Sequence, residues 1–393
     1  VNQTTPFRLS GRDPALDAIR GLAILTVTIF RFGTRTDDGT PIGAGFTWLC
    51  GAGDRGVDLF FVLSGFLITG VLFDAKGQSH YLRNFFVRRS LRIFPLYFGV
   101  LFAAFVLLPR IYPEQTFVNV YTIEHQEWLW MYGTNNLLSI DWLWPLGVFN
   151  HFWSLAVEEH FYVVWPFVIL FLGRRMAMNA CLFLIGMAIS CRFALGVMKG
   201  NFIAAEVLTI CRMDSLAIGA FLALMVRGPG GMAGVVPWAW RLGPLAVIIV
   251  VTSELLDKGG FYLPYTLTAI ACASLIVWAL TATDRFSRTI WHSRVLRKLG
   301  QYSYAMYVFQ NLLVPAGERF WPVADLIDTL GSLGGRLAYV ALGFGVTFVA
   351  AFISWHAYEK HFLKLKKFFG GEQHSPTAPP AEPKQRPLEL TPS

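Results

Sequence analysis

The sequence predicts an all-α protein, a polytopic transmembrane helix bundle of about ten spans with both termini in the cytoplasm. Three observations carry this expectation. Mean hydropathy is +0.49, and 54% of residues are hydrophobic against 15% charged. Soluble domains carry nearer a quarter charged residues, and the polar outer faces they need are missing here. The apolar residues also come in runs: Val57–Phe73, Leu91–Leu108, Phe152–Leu172 and Leu242–Thr252 approach the roughly 20 residues that cross about 30 Å of hydrocarbon. Finally, the connections between runs alternate in charge, as the positive-inside bias requires.

Taken in order, the spans fall at 17–33, 55–73, 90–109, 152–172, 178–197, 203–226, 240–257, 261–282, 300–316 and 336–357. One set of connections holds Lys76, Arg83, Arg88 and Arg89, then Arg174 and Arg175, Arg227 and Arg241, Arg285 to Lys298, and Lys360 to Lys367. The other set is richer in acid, with Glu114, Glu124, Glu127, Glu254, Asp257, Asp325 and Asp328. The stretch 110–150 is apolar around Trp128–Trp144, but Asn135, Asn136, Ser139, Asp141 and Pro145 interrupt it. An outward partial helix or cap there keeps the charge alternation in phase, whereas a full span would invert it.

The chain divides into a cytoplasmic N-terminal segment (1–14), one transmembrane domain (15–369) and a proline-rich tail (370–393). The tail is too poor in apolar residues to offset its ordering entropy and reads as disordered. The net charge of +8 is positive-inside charge and does not imply a nucleic-acid partner. Cys50, Cys181, Cys191, Cys211 and Cys272 show no CxxC spacing, so neither a disulfide framework nor a metal site is expected.

Charged side chains inside spans cost several kcal/mol unless they pair or face a wet cavity, so they mark candidate sites. The first span holds Asp17, Arg20 and Arg31. The eleven residues between the arginines put them about 20° apart on one helical face and about 16 Å apart in depth. The third span opens on Arg88, Arg89 and Arg92, of which Arg89 and Arg92 are adjacent on a helix surface. Paired guanidiniums hold phosphate in a planar fork that lysine lacks; taken alone, ordinary positive-inside charge accounts for them as well. The densest polar cluster is Asn150-His151-Phe152-Trp153-Ser154-Leu155-Ala156-Val157-Glu158-Glu159-His160. On a continuous helix His151, Ser154 and Glu158 share a face, offering acid/base groups or, equally, a polar helix cap. Arg212 and Asp214 enter the sixth span as either a functional pair or a structural ion pair.

These segments together resemble the bacterial membrane acyltransferase 3 family, enzymes that O-acylate cell-surface polysaccharides and related glycans. The matching pieces are Leu16-Asp17-Ala18-Ile19-Arg20-Gly21, Gly56-Val57-Asp58-Leu59-Phe60-Phe61-Val62-Leu63-Ser64-Gly65-Phe66 and Arg88-Arg89-Ser90-Leu91-Arg92-Ile93-Phe94-Pro95. The Trp153–Tyr162 block, Arg212-Met213-Asp214-Ser215-Leu216 and Gly300-Gln301-Tyr302-Ser303-Tyr304-Ala305-Met306-Tyr307 follow in the family's order. The resemblance implies a multi-pass protein of the bacterial inner membrane with no permanently bound cofactor. It would use acyl-CoA, acetyl-CoA foremost, as cosubstrate and a glycan or lipid-linked glycan as acceptor. Arg20, Arg89 and Arg92, with Asp17 beside them, would meet the donor's phosphates.

The resemblance also exposes departures. The family's first-span histidine, taken as its base, is Arg31 here; a guanidinium keeps its proton and cannot remove one from a hydroxyl. Gln310 stands where the family often has histidine, and His160 where it usually has glutamine. The catalytic candidates are therefore His151, Glu158, Ser154 and Arg31, with His160 as second histidine. The alternative expectation is a catalytically silent relative that binds or translocates an acylated glycan or lipid.

Overall fold

The computed structural model describes residues 13–112, 118–255 and 263–369, and every regular element in them is helical. The N-terminal residues up to 12 and the tail from 370 lie outside the described residues. Ten long helices correspond one to one with the expected spans. They are α1 (Pro14–Gly33), α2 (Gly56–Asp74), α3 (Tyr81–Phe102), α4 (Trp153–Phe171), α5 (Arg174–Arg192), α6 (Thr209–Met225), α7 (Gly231–Leu255), α8 (Leu263–Thr281), α9 (Arg294–Leu312) and α10 (Ser332–Ser354). Eight helical segments are long and apolar enough to cross a membrane, and these contain all but α1 and α9.

Helices α1 and α9 have 20 and 19 residues, about 30 Å at 1.5 Å per residue, so length is not what sets them apart. Polarity is: α1 carries the charges of Asp17, Arg20 and Arg31, and α9 adds Gln301, Gln310 and Asn311 to its opening Arg294, Arg297 and Lys298. They pack on each other instead of on lipid. Gly21 lies against the carbonyl of Leu296 and Gly300 against the carbonyl of Asp17, so a Cβ at either would enter the facing backbone. Helices α2 and α6 use the same device, with Gly65 on the carbonyl of Leu216 and Gly219 on that of Val62. Inside a bilayer, where lipid is as apolar as leucine, such close approach is what drives helix association.

The bundle is layered accordingly. The spanning windows around α2 and α6 are 67% and 72% buried, whereas that of α7 is 17% buried. Outer helices present apolar side chains such as Leu182, Phe183, Ile248, Val251, Val349 and Ile353 outward, as a lipid-facing surface requires. Local signals fix the starts: Asp13 accepts from the Ala15 amide at 2.8 Å with Pro14 opening α1, and Ser293 caps α9.

Between Ile111 and Gly147 the described residues form only short helices, the longest being Thr134–Asp141 with 8 residues. Trp142 ends it in the left-handed conformation at φ +58°. None of these short helices is by itself long enough to cross a bilayer. Another loop, before helix Pro41–Gly51, brings Asp38 within 2.5 Å of the buried Arg336 of α10. Hydrogen bonds from Thr40, with Arg336 adding to them, hold the Asp38 carboxyl down at about 2.

Candidate active site

Among the described residues, two neighbouring cavities meet at two residues. The first, about 120 Å³, collects Arg20 from α1, Ser64 from α2, Arg89 and Arg92 from α3 and Ser154 and Glu158 from α4. The second, about 420 Å³, holds Arg31 from α1, Asp58 from α2, His151 from the short helical turn before α4, Glu206, Arg212 from α6 and Tyr265 from α8. Val57 and Tyr307 line both. The eleven-residue spacing on α1 thus places Arg20 in one cavity and Arg31 in the other.

In the first cavity, the Arg20 Nη1 pairs with Asp17 Oδ1 at 2.9 Å, so Asp17 orients the arginine from behind and does not itself line the cavity. Arg89 lies 3.8 Å over the ring of Tyr162, and its Nη2 is 3.7 Å from Glu158 Oε2. Tyr162 in turn shares a hydrogen bond with Ser64. The Arg89 Nε has no partner, so part of its fork remains for another acceptor. This is a built anion-binding wall, since three guanidiniums converge from α1 and α3 at one space. Its volume falls below the about 300–1,000 Å³ of small-molecule sites. The cavity therefore has room for only part of a CoA donor, with the remainder outside it.

Candidates His151, Ser154 and Glu158 do not form one cluster. His151 sits in the turn Gly147–Phe152, and α4 begins only at Trp153, so the helical face is broken between His151 and Ser154. Ser154 and Glu158 face the first cavity and His151 the second. What joins them is Tyr307. Its hydroxyl and that of Ser154 are hydrogen-bonded, and both also reach the backbone oxygen of His151, at 3.1 Å and 3.2 Å.

The His151 ring is buried, and its Nε2 lies 3.3 Å from the carbonyl of Val308. A carbonyl only accepts, so when Nε2 carries the ring proton it donates to Val308 and Nδ1 is the lone pair; the backbone of Val148 and Tyr307 also lies against the ring. That Nδ1 is without a partner. His160 differs: Asn135 donates to the Thr209 hydroxyl at 2.8 Å, leaving the Thr209 proton for His160 Nδ1 at 2.6 Å. His160 lines neither cavity. Gln310 is likewise a tether, with its Oε1 at 3.3 Å from the Thr28 hydroxyl.

Arg212 and Asp214 do not pair with each other. Arg212 Nη2 meets Asp58 at 2.6 Å, where Ser215 also donates to Asp58 at 2.9 Å. Asp214 is held in a two-pronged contact by Arg192 at 2.7 and 3.0 Å, with Thr266 donating to it at 2.5 Å. The two pairs sew α2, α5, α6 and α8 together around the second cavity. Sequence reasoning missed Glu206 and Tyr265 as site residues. Glu206 had a usable signal, as a carboxylate inside the sixth expected span, 203–226.

Comparison with known proteins agrees with this architecture. Residues 13–356 match the family model Acyl_transf_3, described as an acyltransferase domain, and the chain belongs to this family. It is a multi-pass membrane protein of that family. Among curated relatives, the peptidoglycan O-acetyltransferase OatA of Listeria monocytogenes is 30% identical over 169 residues, 40% of this chain and 24% of the relative. The putative peptidoglycan O-acetyltransferase YrhL of Bacillus subtilis is 26% identical over 375 residues, 88% of this chain and 54% of its own length. The putative O-acetyltransferase SACOL0978 of Staphylococcus aureus is 26% identical over 336 residues, 77% of this chain and 50% of its own. The chain thus spans about half or less of these relatives. No solved structure matches it significantly.

Proposed function

We propose that this protein is a membrane O-acyltransferase, moving an acetyl group from acetyl-CoA to a hydroxyl of a cell-envelope glycan. The observation that carries the reading is the pair of cavities sharing the Val57–Tyr307 wall, one built of guanidiniums and the other holding an imidazole lone pair. In this reading Arg20, Arg89 and Arg92 hold the anionic donor, whose phosphates favour bidentate arginine. The acceptor hydroxyl approaches from the second cavity and its oxygen attacks the acetyl carbonyl as His151 Nδ1 takes its proton, with Nε2 still bonded to Val308. The C–S bond then breaks and the departing CoA sulfur takes that proton from His151. Arg31 stays protonated and acts as a fixed positive charge there. The printed names of the relatives support acetyl as the group and peptidoglycan as one acceptor class.

The orientation proposed with this function puts both termini and the arginine-rich connections in the cytoplasm of a bacterial inner membrane, and with them the donor cavity. The proposed domain division is a short N-terminal segment, the acyltransferase domain over 15–369 and a proline-rich tail. A second reading has one specific observation behind it. With Arg31 in the family's histidine position, the chain could have kept the fold and lost the chemistry, serving to bind or move an acylated glycan or lipid. Purified protein incubated with labelled acetyl-CoA and a panel of envelope glycans separates the two. Label in a glycan supports the enzyme, and donor binding without transfer supports the silent relative.

A further inference from the structure

The charges lining the second cavity do not cancel in place. Asp58 is taken up by Arg212 and Ser215, and Asp54 lies 3.4 Å from Arg55. Arg212, 1% exposed, uses only Nη2 in its pair, and its Nε and Nη1 have no partner. Arg31 makes no hydrogen bond or ion pair with any described residue, and its buried Nε is unpartnered. Glu206 likewise has no hydrogen bond or ion pair among the described residues. The cavity therefore presents one unshared guanidinium, two further guanidinium nitrogens and one unshared carboxylate. Trp144, Trp153 and Tyr265 supply aromatic walls.

We propose that this cavity binds a sugar bearing a carboxylate, with Arg31 gripping the carboxylate, Glu206 accepting from a ring hydroxyl and the aromatic side chains covering the apolar sugar face. The inference rests on the acceptor reading above and narrows it to an acidic glycan. Arg31 binds the group in a planar fork, and this is a chemical use for an arginine that cannot serve as base. A neutral sugar would leave Arg31 with no hydrogen-bonded counter-charge inside the bundle, which is costly, since Glu206 acts on it only through space. A dianionic phosphate matches less well. Only one guanidinium is unshared, and the carboxylates of Asp54, Asp58 and Glu206 would repel the second charge.

The test is direct binding to the full chain in detergent or nanodiscs, with a methyl glucuronoside, the corresponding neutral methyl glucoside and a sugar phosphate as probes. The glucuronoside should bind tenfold or more tightly than either of the others, about what one charge-assisted contact supplies. Arg31→Gln should remove that preference, and Arg31→Lys should keep part of it. Equal binding of glucuronoside and glucoside by the wild type, or tighter binding of the phosphate, overturns the proposal even if no variant folds. Acetyl-CoA binding and turnover measured on the same preparation report separately on the acyltransferase reading. A preparation that turns over acetyl-CoA without preferring the glucuronoside refutes only the acidic-sugar site. One that prefers it without binding acetyl-CoA refutes only the donor reading.

Discussion

The hydroxyls of Ser154 and Tyr307 are hydrogen-bonded to each other, and each also reaches the carbonyl oxygen of His151. Ser154 belongs to the arginine cavity and His151 to the other, while Tyr307 borders both, so this small network is the partition between them. Its two parts are separable. Tyr307→Phe removes the hydroxyl's contacts to Ser154 and His151 and keeps the ring, which should cost about 2 kcal/mol in stability and leave the partition standing. Tyr307→Ala removes the ring and should admit water to the donor side. CoA release without glycan should then rise in Tyr307→Ala and not in Tyr307→Phe; equal release in both means the ring is no barrier.

Arg89 is the best-placed donor contact, stacked on Tyr162 with an unpartnered Nε. Losing one charge-assisted phosphate contact costs roughly 1.5–3 kcal/mol, or about ten- to a hundredfold in affinity. The double variant Arg89→Ala/Arg92→Ala should weaken acetyl-CoA binding by at least that factor, and Arg89→Lys should not recover it fully. Calorimetric titration in detergent measures this, and unchanged affinity would return both arginines to a topogenic role.

The Arg212–Asp58 pair is buried on both sides, with each side chain 2% exposed. Removing one member of such a pair strands the other and costs about 3–5 kcal/mol, whereas replacing both with apolar groups of similar size is close to neutral. Asp58→Ala should therefore lower the unfolding temperature far more than Asp58→Leu/Arg212→Met. Equal losses would show that packing, and not the stranded charge, sets the cost.

Ser79 and Thr289 are exposed in the connections after α2 and α8. Ser79→Cys and Thr289→Cys should be labelled by an impermeant thiol reagent only once the inner membrane is opened. Labelling in intact cells would invert the proposed orientation and place the donor cavity on the wrong side for acetyl-CoA.

Much of the fold was legible because the bilayer imposes one requirement, uninterrupted apolar helix, that sequence displays directly. The two long helices outside the eight apolar segments, α1 and α9, were counted as spans from the sequence with the rest, and Gly21 and Gly300 turn out to make the backbone contact between them. Side-chain partners were less legible. Arg212 and Asp214, two residues apart in sequence, take partners 154 and 22 residues away, and no local pattern encodes such a choice. The shared face of His151, Ser154 and Glu158 rested on a continuous helix, which the turn before Trp153 breaks. Glu206 was overlooked because it is a lone carboxylate without a motif.

The claim at the centre of this account is that His151, and not residue 31, receives the acceptor proton. One acetyl-transfer assay on wild type, His151→Ala and Arg31→His tests it. General-base help is typically worth 10²–10⁴-fold, so His151→Ala should lose about that factor in turnover with acetyl-CoA affinity nearly unchanged. Wild type should be active, and Arg31→His should bring no large gain. Inactive wild type with activity restored by Arg31→His, or full activity in His151→Ala, would contradict the account.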